Sequence, residues 1–271
     1  MKIFAIKNDD TNIKAVCFLV YYEVAKKFFV EISDGADEWS VPMYFAPYAK
    51  KNVHTVNARH SLEWVRQRIV PTDRQNIAGI LSDNGMKSYD EFSLLLLGNG
   101  RCSQDDYYIE EIAYGDLPED IIERTKKRID DVIPLSDRKA LIFFKDGSAR
   151  ICELKSIIAG QKNLSNYLTQ YAERFFDVKI QVGGTGIYWN DNMVISDAEL
   201  WQCSKKIPLT KEDFSAFIRD RIVNSAEAAQ MLNCSRQNID DLIKRGKLVP
   251  IKETKKDRLF YKSDIDKRSW N

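Results

Sequence analysis

The chain has 271 residues, 44% of them hydrophobic and 30% charged, and a net charge of +1. That length exceeds one ordinary domain of roughly 100 to 150 residues, and the composition is that of a chain that folds throughout rather than a disordered one. The opening MKIFAIKNDDTNIKAVCFLV lacks the ordered basic, apolar and small-residue regions of a secretory signal, and no apolar run reaches the roughly 18 residues of a membrane span, so a cytoplasmic location is expected. Five cysteines lie far apart with no CxxC pair and only His54 and His60 beside them, which indicates neither a disulfide scaffold nor a zinc site. No cofactor is expected.

Residues 1–115 read as an α+β domain. KIFAIK and KAVCFLVYYEVAKKFFVEI are strand-like runs rich in β-branched and aromatic residues. SDGADEW is a turn. SLEWVRQRIV, ended by Pro71, DRQNIAGILSDNG, closed by Gly85, and YDEFSLLLLG, closed by Gly98, follow at helical spacing.

Residues 116–137 predict a helical linker: Asp116 can cap it, Pro118 suits its first turn, and Ile121, Ile122, Ile129, Val132 and Ile133 recur on one face. A second small α+β domain spans 138–209. RKALIFFKDGSARICEL predicts a hairpin about Asp146-Gly147. NLSNYLTQYAERFF predicts a helix with Leu164, Leu168, Tyr171 and Phe175 inward, and VKIQVGGTGIYWND returns as strands.

FFKDGSARICEL, YAERFF and GIYWNDNMVISDAELW make the middle stretch resemble the family known as domain of unknown function 2442. That resemblance implies a fold and no chemistry, and the frequent occurrence of its members beside toxin-antitoxin-like genes tilts the reading toward regulation. RIVPTDRQNIAGIL and YDEFSLLLLGNGRCSQDD make the first segment resemble the N-terminal subdomain of HipA-type toxin kinases. The Asp and Asn catalytic loop and the metal-binding Asp motif of a kinase are missing from the sequence, so no enzymatic role is carried over.

Charge is unevenly spread. From Arg221 to Asn271 twelve Lys and Arg stand against seven Asp and Glu, a net +5 that leaves −4 on the remainder of the chain. Such asymmetry favours an anionic partner for the basic part. There, within a last domain at 210–271, NSAEAAQMLNCSRQNIDDLIKRGKLVPIK reads as two helices joined by a tight turn. Asn224 or Ser225 caps the first, whose inner face is Ala228, Ala229 and Leu232. Ser235 caps the second, with Ile239, Leu242 and Ile243 inward and Gly246 at its end.

That register puts Gln237, Asp241 and Lys244 on the opposite face, flanked by Asp240 and Arg245. Arg236, Gln237 and Asn238 occupy the first turn, where a recognition helix presents side chains to base edges. LVPIKETKKDRLFYKSDI then alternates like a two-stranded ribbon turning at TKKD, with Lys255, Lys256, Arg258 and Lys262 placed to neutralise phosphates. SAEAAQMLNCSRQNIDDLIKRGKLVP and RLFYKSDIDKRSW resemble the winged helix-turn-helix domains of excisionases and MerR-type regulators, which implies DNA binding through Ser235, Arg236, Gln237, Asn238, Lys244, Arg245 and the wing cations. Asp240 and Asp241 depart from that picture, since they repel phosphate unless Lys244 and Arg245 neutralise them at i,i+4 spacing.

Other features admit plainer readings. Gly183, Gly184 and Gly186 lack the spacing, the Lys and the following helix of a phosphate loop, so a tight turn is expected. His60 with Glu63 has no nucleophile beside it. Arg66, Arg68, Arg74 and Arg101 near Asp73, Asp105 and Asp106 read as ion pairs within the domain, with an anion pocket as the alternative. Trp39, Tyr44, Phe45 and Tyr48 read as core or turn packing.

The expected fold is α+β: two small α+β domains followed by a winged helix-turn-helix. The expected function is that of a DNA-binding transcriptional regulator, with an antitoxin-like role as one form of it. Double-stranded DNA is its partner, a protein partner or signal engages the first two domains, and a homodimer sits on paired half-sites. The alternative is a protein-binding adaptor that uses the winged fold without DNA. An enzyme ranks last, because no catalytic cluster is found.

Overall fold

The computed structural model describes residues 1–10, 14–190 and 193–268. Asp191 and Asn192 of GIYWNDNM, and Ser269 and Trp270 of DKRSW, lie outside them. The fold is a mixture of helices and several small antiparallel sheets with a helix-turn-helix at the C-terminal end, the α+β class expected.

A first sheet has the order β4-β3-β2-β1-β5, from β1 (Lys2–Asn8), β2 (Cys17–Tyr22), β3 (Lys27–Ile32), β4 (Thr55–Val56) and β5 (Tyr107–Ile112). The inner strands carry near-continuous apolar runs because both faces are covered. Phe4, Ile6, Leu19 and Val30 meet Phe45, Trp64 and Leu95 on one face, while Ile3, Ala5 and Phe18 meet Leu117 and Ile121 on the other. The first covering layer is α1 (Ala46–Lys50), α2 (Ala58–Arg66) and α4 (Glu91–Leu97), with α3 (Ile77–Asp83) burying no residue. Asn57 and Asp90 cap α2 and α4 through their side chains. Ile121 belongs to α5 (Glu119–Lys126), which covers the second face.

Residues 116–137 therefore differ from the expected helical linker. The helix stops at Lys126, and Ile129–Leu135 is β6, the edge strand of a second sheet, with Ile133 opposite Leu141 and Val132 opposite Ile142. The spacing of Ile129, Val132 and Ile133 fits a helix as well as a strand, and pairing with β7 decides it. That sheet has the order β12-β8-β7-β6, adding β7 (Lys139–Phe144), β8 (Ser148–Glu153) and β12 (Lys205–Thr210). The Asp146-Gly147 turn joins β7 to β8 as expected, with Gly147 at φ +82°.

Behind it lie α6 (Lys155–Gly160), α7 (Lys162–Gln170) and a small sheet of β9 (Lys179–Ile180), β10 (Gly186–Tyr188) and β11 (Val194–Ser196). Leu164, Leu168 and Phe175 are buried as expected. Tyr171 is exposed, because the helix ends at Gln170 and a tighter turn redirects the row. The glycine stretch is a turn: Gly184, at φ +78°, lies against the Ile129 backbone where no Cβ fits. A helix α8 (Asp197–Cys203), capped by Ser196, completes this core. Cys152 and Cys203, 51 residues apart, form a disulfide with a Cα–Cα distance of 6.0 Å. Their spacing in sequence gave no sign of it, since β8 and the end of α8 meet only in the fold.

The first two units meet around Arg128, whose buried guanidinium donates to Glu31 at 2.6 Å and to Thr55 Oγ1 at 2.9 Å and lies 3.4 Å from Asp197. Burial pushes the Asp197 carboxyl above its ordinary value although Arg128 opposes this. A cleft of about 1250 Å³ opens beside this network, lined by Phe29, His54, Arg124, Lys127, Asp197 and Trp201 among others. Three of the four arginines expected to pair do so, Arg68 with Asp105, Arg66 with Glu91 at 3.1 Å, and Arg101 with Asp9 rather than with Asp105 or Asp106, whereas Arg74 donates to Asn76 Oδ1 at 3.0 Å instead. Phe45 is core, whereas Trp39 stands 85% exposed, contrary to the packing role expected for it.

From β12 the chain enters α9 (Lys211–Arg221), capped reciprocally by Thr210 and Asp213. Phe214 packs edge-on to Phe143 at 5.2 Å and Phe217 reaches Tyr261 at 6.3 Å, so this exposed helix touches both the second sheet and the last unit. Among the described residues no helix is long and apolar enough to cross a membrane.

Candidate nucleic-acid interface

The last unit is built on α10 (Ser225–Met231) and α11 (Arg236–Lys244). Asn224, rather than Ser225, caps α10. Its side chain accepts from the N–H groups of Ala226 and Glu227 at 2.9 and 3.0 Å, and Glu227 accepts from the Asn224 N–H at 2.8 Å. The buried methyl groups of Ala228 and Ala229 let α11 approach closely. The turn between the helices passes through Asn233 in the left-handed region at φ +49°.

Ser235 Oγ accepts from the Asn238 N–H at 3.3 Å to start α11, a cap that contributes about 1 kcal/mol. Ile239 is fully buried against Leu248, Phe260 and Ile265, with Leu242 and Ile243 packed beside it. Gly246 ends the helix at φ +65°: its own N–H donates to Ile243 and that of Lys247 to Leu242, both at 2.8 Å, which satisfies two terminal carbonyls. The sequence register of α11 is thus the one the structure adopts. Arg236, Gln237, Asn238, Asp241, Lys244 and Arg245 are all exposed.

The ribbon consists of β14 (Lys252–Glu253) and β15 (Arg258–Tyr261), followed by α12 (Lys262–Asp266). Thr254 closes the TKKD turn, its N–H and hydroxyl both donating to the Asp257 carbonyl and its Oγ1 accepting the Asp257 N–H, and this leaves Lys255 and Lys256 exposed at the tip. A third strand, β13 (Ile222–Asn224), pairs with β15 on the other side, and sequence reasoning missed it. Three residues directly after a helix carry no periodicity. The only local signal was the β-branched pair Ile222-Val223.

Two of the expected wing cations are placed differently. Arg258 is bonded through Nη1 to Asp240 of α11 and donates through Nε to Glu253 at 2.6 Å, so its charge is matched within the molecule. Asp240 accordingly takes Arg258 as its partner instead of Lys244. Lys262 opens α12, half-buried, rather than lying on the ribbon. Asp257 accepts the N–H groups of Arg258 and Ser225 at 2.8 and 3.3 Å, and these bonds hold its carboxyl below the ordinary value. Arg268 donates to the Lys247 carbonyl and ties the end of the unit back to the helix-turn-helix.

The exposed face therefore combines three polar or basic side chains at the start of α11, Lys244 and Arg245 at its end and Lys255 and Lys256 on the turn, with Asp240 neutralised by Arg258 and Asp241 exposed without the expected ion pair to Arg245 among the described residues. No curated protein and no solved structure matches the chain. The resemblances of the first and middle segments find no support in these comparisons. Residues 222–268, from the first residue of β13 to Arg268, match the family model described as a helix-turn-helix domain, which bears out the C-terminal resemblance at that level.

Proposed function

We propose that the chain is a cytoplasmic transcriptional regulator that acts by binding duplex DNA, without catalysis. The observation that carries this is the Ser235-capped helix with Arg236, Gln237 and Asn238 exposed in its first turn, beside a ribbon whose Lys255 and Lys256 are free of ion pairs among the described residues. Arg236, Gln237 and Asn238 read base edges in the major groove while Lys244, Arg245, Lys255 and Lys256 contact phosphates. One such module contacts a short stretch of duplex, so specific binding needs a second copy on a paired half-site. The regulator is antitoxin-like in one form of this reading, and its first two units sense a signal, bind a protein partner or dimerise; the cleft beside Arg128 supports a sensing or partner-binding role. The test is selection of bound fragments from random or genomic DNA by the full chain and by the variant carrying Gln237→Ala, Lys255→Ala and Lys256→Ala. Enrichment of a motif by the first alone is the expected result.

A second reading is a protein-binding adaptor. It is favoured by the apolar side chains left exposed on this unit and on α9, Phe217, Ile218, Val249 and Ile251. It predicts no motif and no salt-dependent affinity for any duplex.

A further inference from the structure

Cys152 sits on β8, fully buried in the second core and opposite Ala140. Cys203 is the last residue of α8 and is exposed. Their bond fastens α8 to β8 at the point where β12 begins, and β12 leads through α9 into the helix-turn-helix domain. The neighbourhood has its own non-covalent fastening. Arg150 donates to Ser204 Oγ at 2.8 Å and to the Ser204 carbonyl at 3.0 Å, its guanidinium lies 4.2 Å from the centre of the Trp201 ring, and Leu200 is fully buried. The fold around the two sulfurs is therefore held without the bond. The remaining cysteines have no such pairing: Cys17 is buried, and Cys102 and Cys234 are half-buried and free.

We propose that Cys152 and Cys203 are a reversible oxidative modification site, a dithiol that closes to a disulfide in response to an oxidised low-molecular-weight thiol. The inference rests on the DNA-binding reading in one respect, the reducing interior in which such a chain works and in which a permanent structural disulfide is rare. Cys203, an exposed residue at the end of its helix, paired with the fully buried Cys152 is the arrangement of an attacking and a resolving thiol. With glutathione disulfide, the Cys203 thiolate attacks one sulfur and expels one glutathione thiolate, leaving a mixed disulfide. The Cys152 thiolate then attacks Cys203 Sγ and expels the second. The two cysteines lose two electrons, glutathione disulfide gains them, and the two thiol protons leave with the two released glutathiones.

Closure tightens the entry to β12, and reduction leaves it held by the Arg150–Ser204 bonds. Because α8 also contributes Asp197, Ala198, Trp201 and Gln202 to the wall of the cleft beside Arg128, the same event sets the freedom of that wall.

The test equilibrates the full chain in buffers of graded glutathione to glutathione disulfide ratio. Each sample is quenched with acid, its free thiols are alkylated under denaturing conditions, and the modified sites are located by mass spectrometry, with amide hydrogen exchange followed in the same buffers. The expected result is a single reversible transition from five alkylated thiols to three, with Cys152 and Cys203 lost together, and exchange at residues 197–210 slower by about tenfold in the oxidised form. In Cys203→Ser, Cys152 stays alkylated at every ratio. Five thiols throughout, a bond that persists at the most reducing ratio, or joint loss of a different pair each overturns the proposal. DNA affinity is measured separately: its absence overturns the regulatory reading and leaves the thiol counts to decide this one.

Discussion

Arg258 on β15 is bonded to Asp240 on α11 and, through Nε, to Glu253 on the neighbouring strand. One guanidinium thus fixes the ribbon at a set angle to α11, and its charge is spent inside the molecule. Lys255 and Lys256, at the tip, carry theirs into solvent. Lys255→Ala with Lys256→Ala is expected to flatten the dependence of log affinity on log salt by up to about two units, since each phosphate contact contributes about 0.9. Arg258→Ala is expected to weaken DNA binding with the slope nearly unchanged. Affinity titrations at four or five salt concentrations check both, and equal slopes for the two variants would contradict the division of roles.

Gln237 follows the Ser235 cap by two residues and is exposed opposite Ile239. Gln237→Ala is expected to cost about 1 to 3 kcal/mol on the selected site and little on random duplex, a difference that phosphate contacts do not produce. Circular dichroism serves as the folding control, because alanine favours helix. Unchanged affinity on both duplexes would deprive Gln237 of a reading role and favour the adaptor.

The Arg128 network is a structural prediction independent of DNA. Arg128→Ala leaves the buried Glu31 carboxylate without its closest cation, and breaking a buried pair in this way is expected to cost about 3 to 5 kcal/mol. Urea unfolding measures it. A loss below about 1 kcal/mol would mean that water or Arg124, 3.5 Å from Glu31, takes over.

Two carboxylates are expected to titrate with opposite sign. Asp257, lowered first by the Arg258 N–H, contributes stability present above the unfolded aspartate value of about 3.9 and lost as pH falls through its folded value. Asp197, raised by burial, contributes stability present below about 3.9 and lost as pH rises through its folded value. Relative to the parent, Asp257→Ala should therefore lose its deficit as pH falls, whereas Asp197→Asn, which keeps a neutral side chain, should gain on the parent as pH rises through the folded value of Asp197. A deficit of Asp257→Ala that grows as pH falls, or an Asp197→Asn variant that loses ground to the parent as pH rises, would refute the assignment.

What was legible in the sequence was whatever is decided locally. Asp146-Gly147 needs a turn, Ser235 needs only the backbone N–H three residues on, and Ile239, Leu242 and Ile243 repeat within one helix. What was not legible depends on partners far along the chain. Ile129, Val132 and Ile133 satisfy helical spacing and become a strand because β7 offers a ladder. Tyr171 leaves its row because the helix ends one residue earlier. Ile222 and Val223 are a strand only because Tyr261 and Phe260 lie opposite. Arg258 looked like any exposed wing cation, since of its two acidic partners Glu253 is brought to it by the turn and Asp240, 18 residues away, by the packing of the ribbon on α11.

The pairing of β13 with β15 also has an architectural consequence. Ile222 at the start of the helix-turn-helix domain lies opposite Tyr261 near its end, and Arg268 closes back on Lys247, so the domain's first and last segments are stitched to one another rather than to the remainder of the chain. A unit closed in this way is portable: grafted onto another protein through α9 alone, it would keep all three strands, the helices α10, α11 and α12 and the capping residues that orient them.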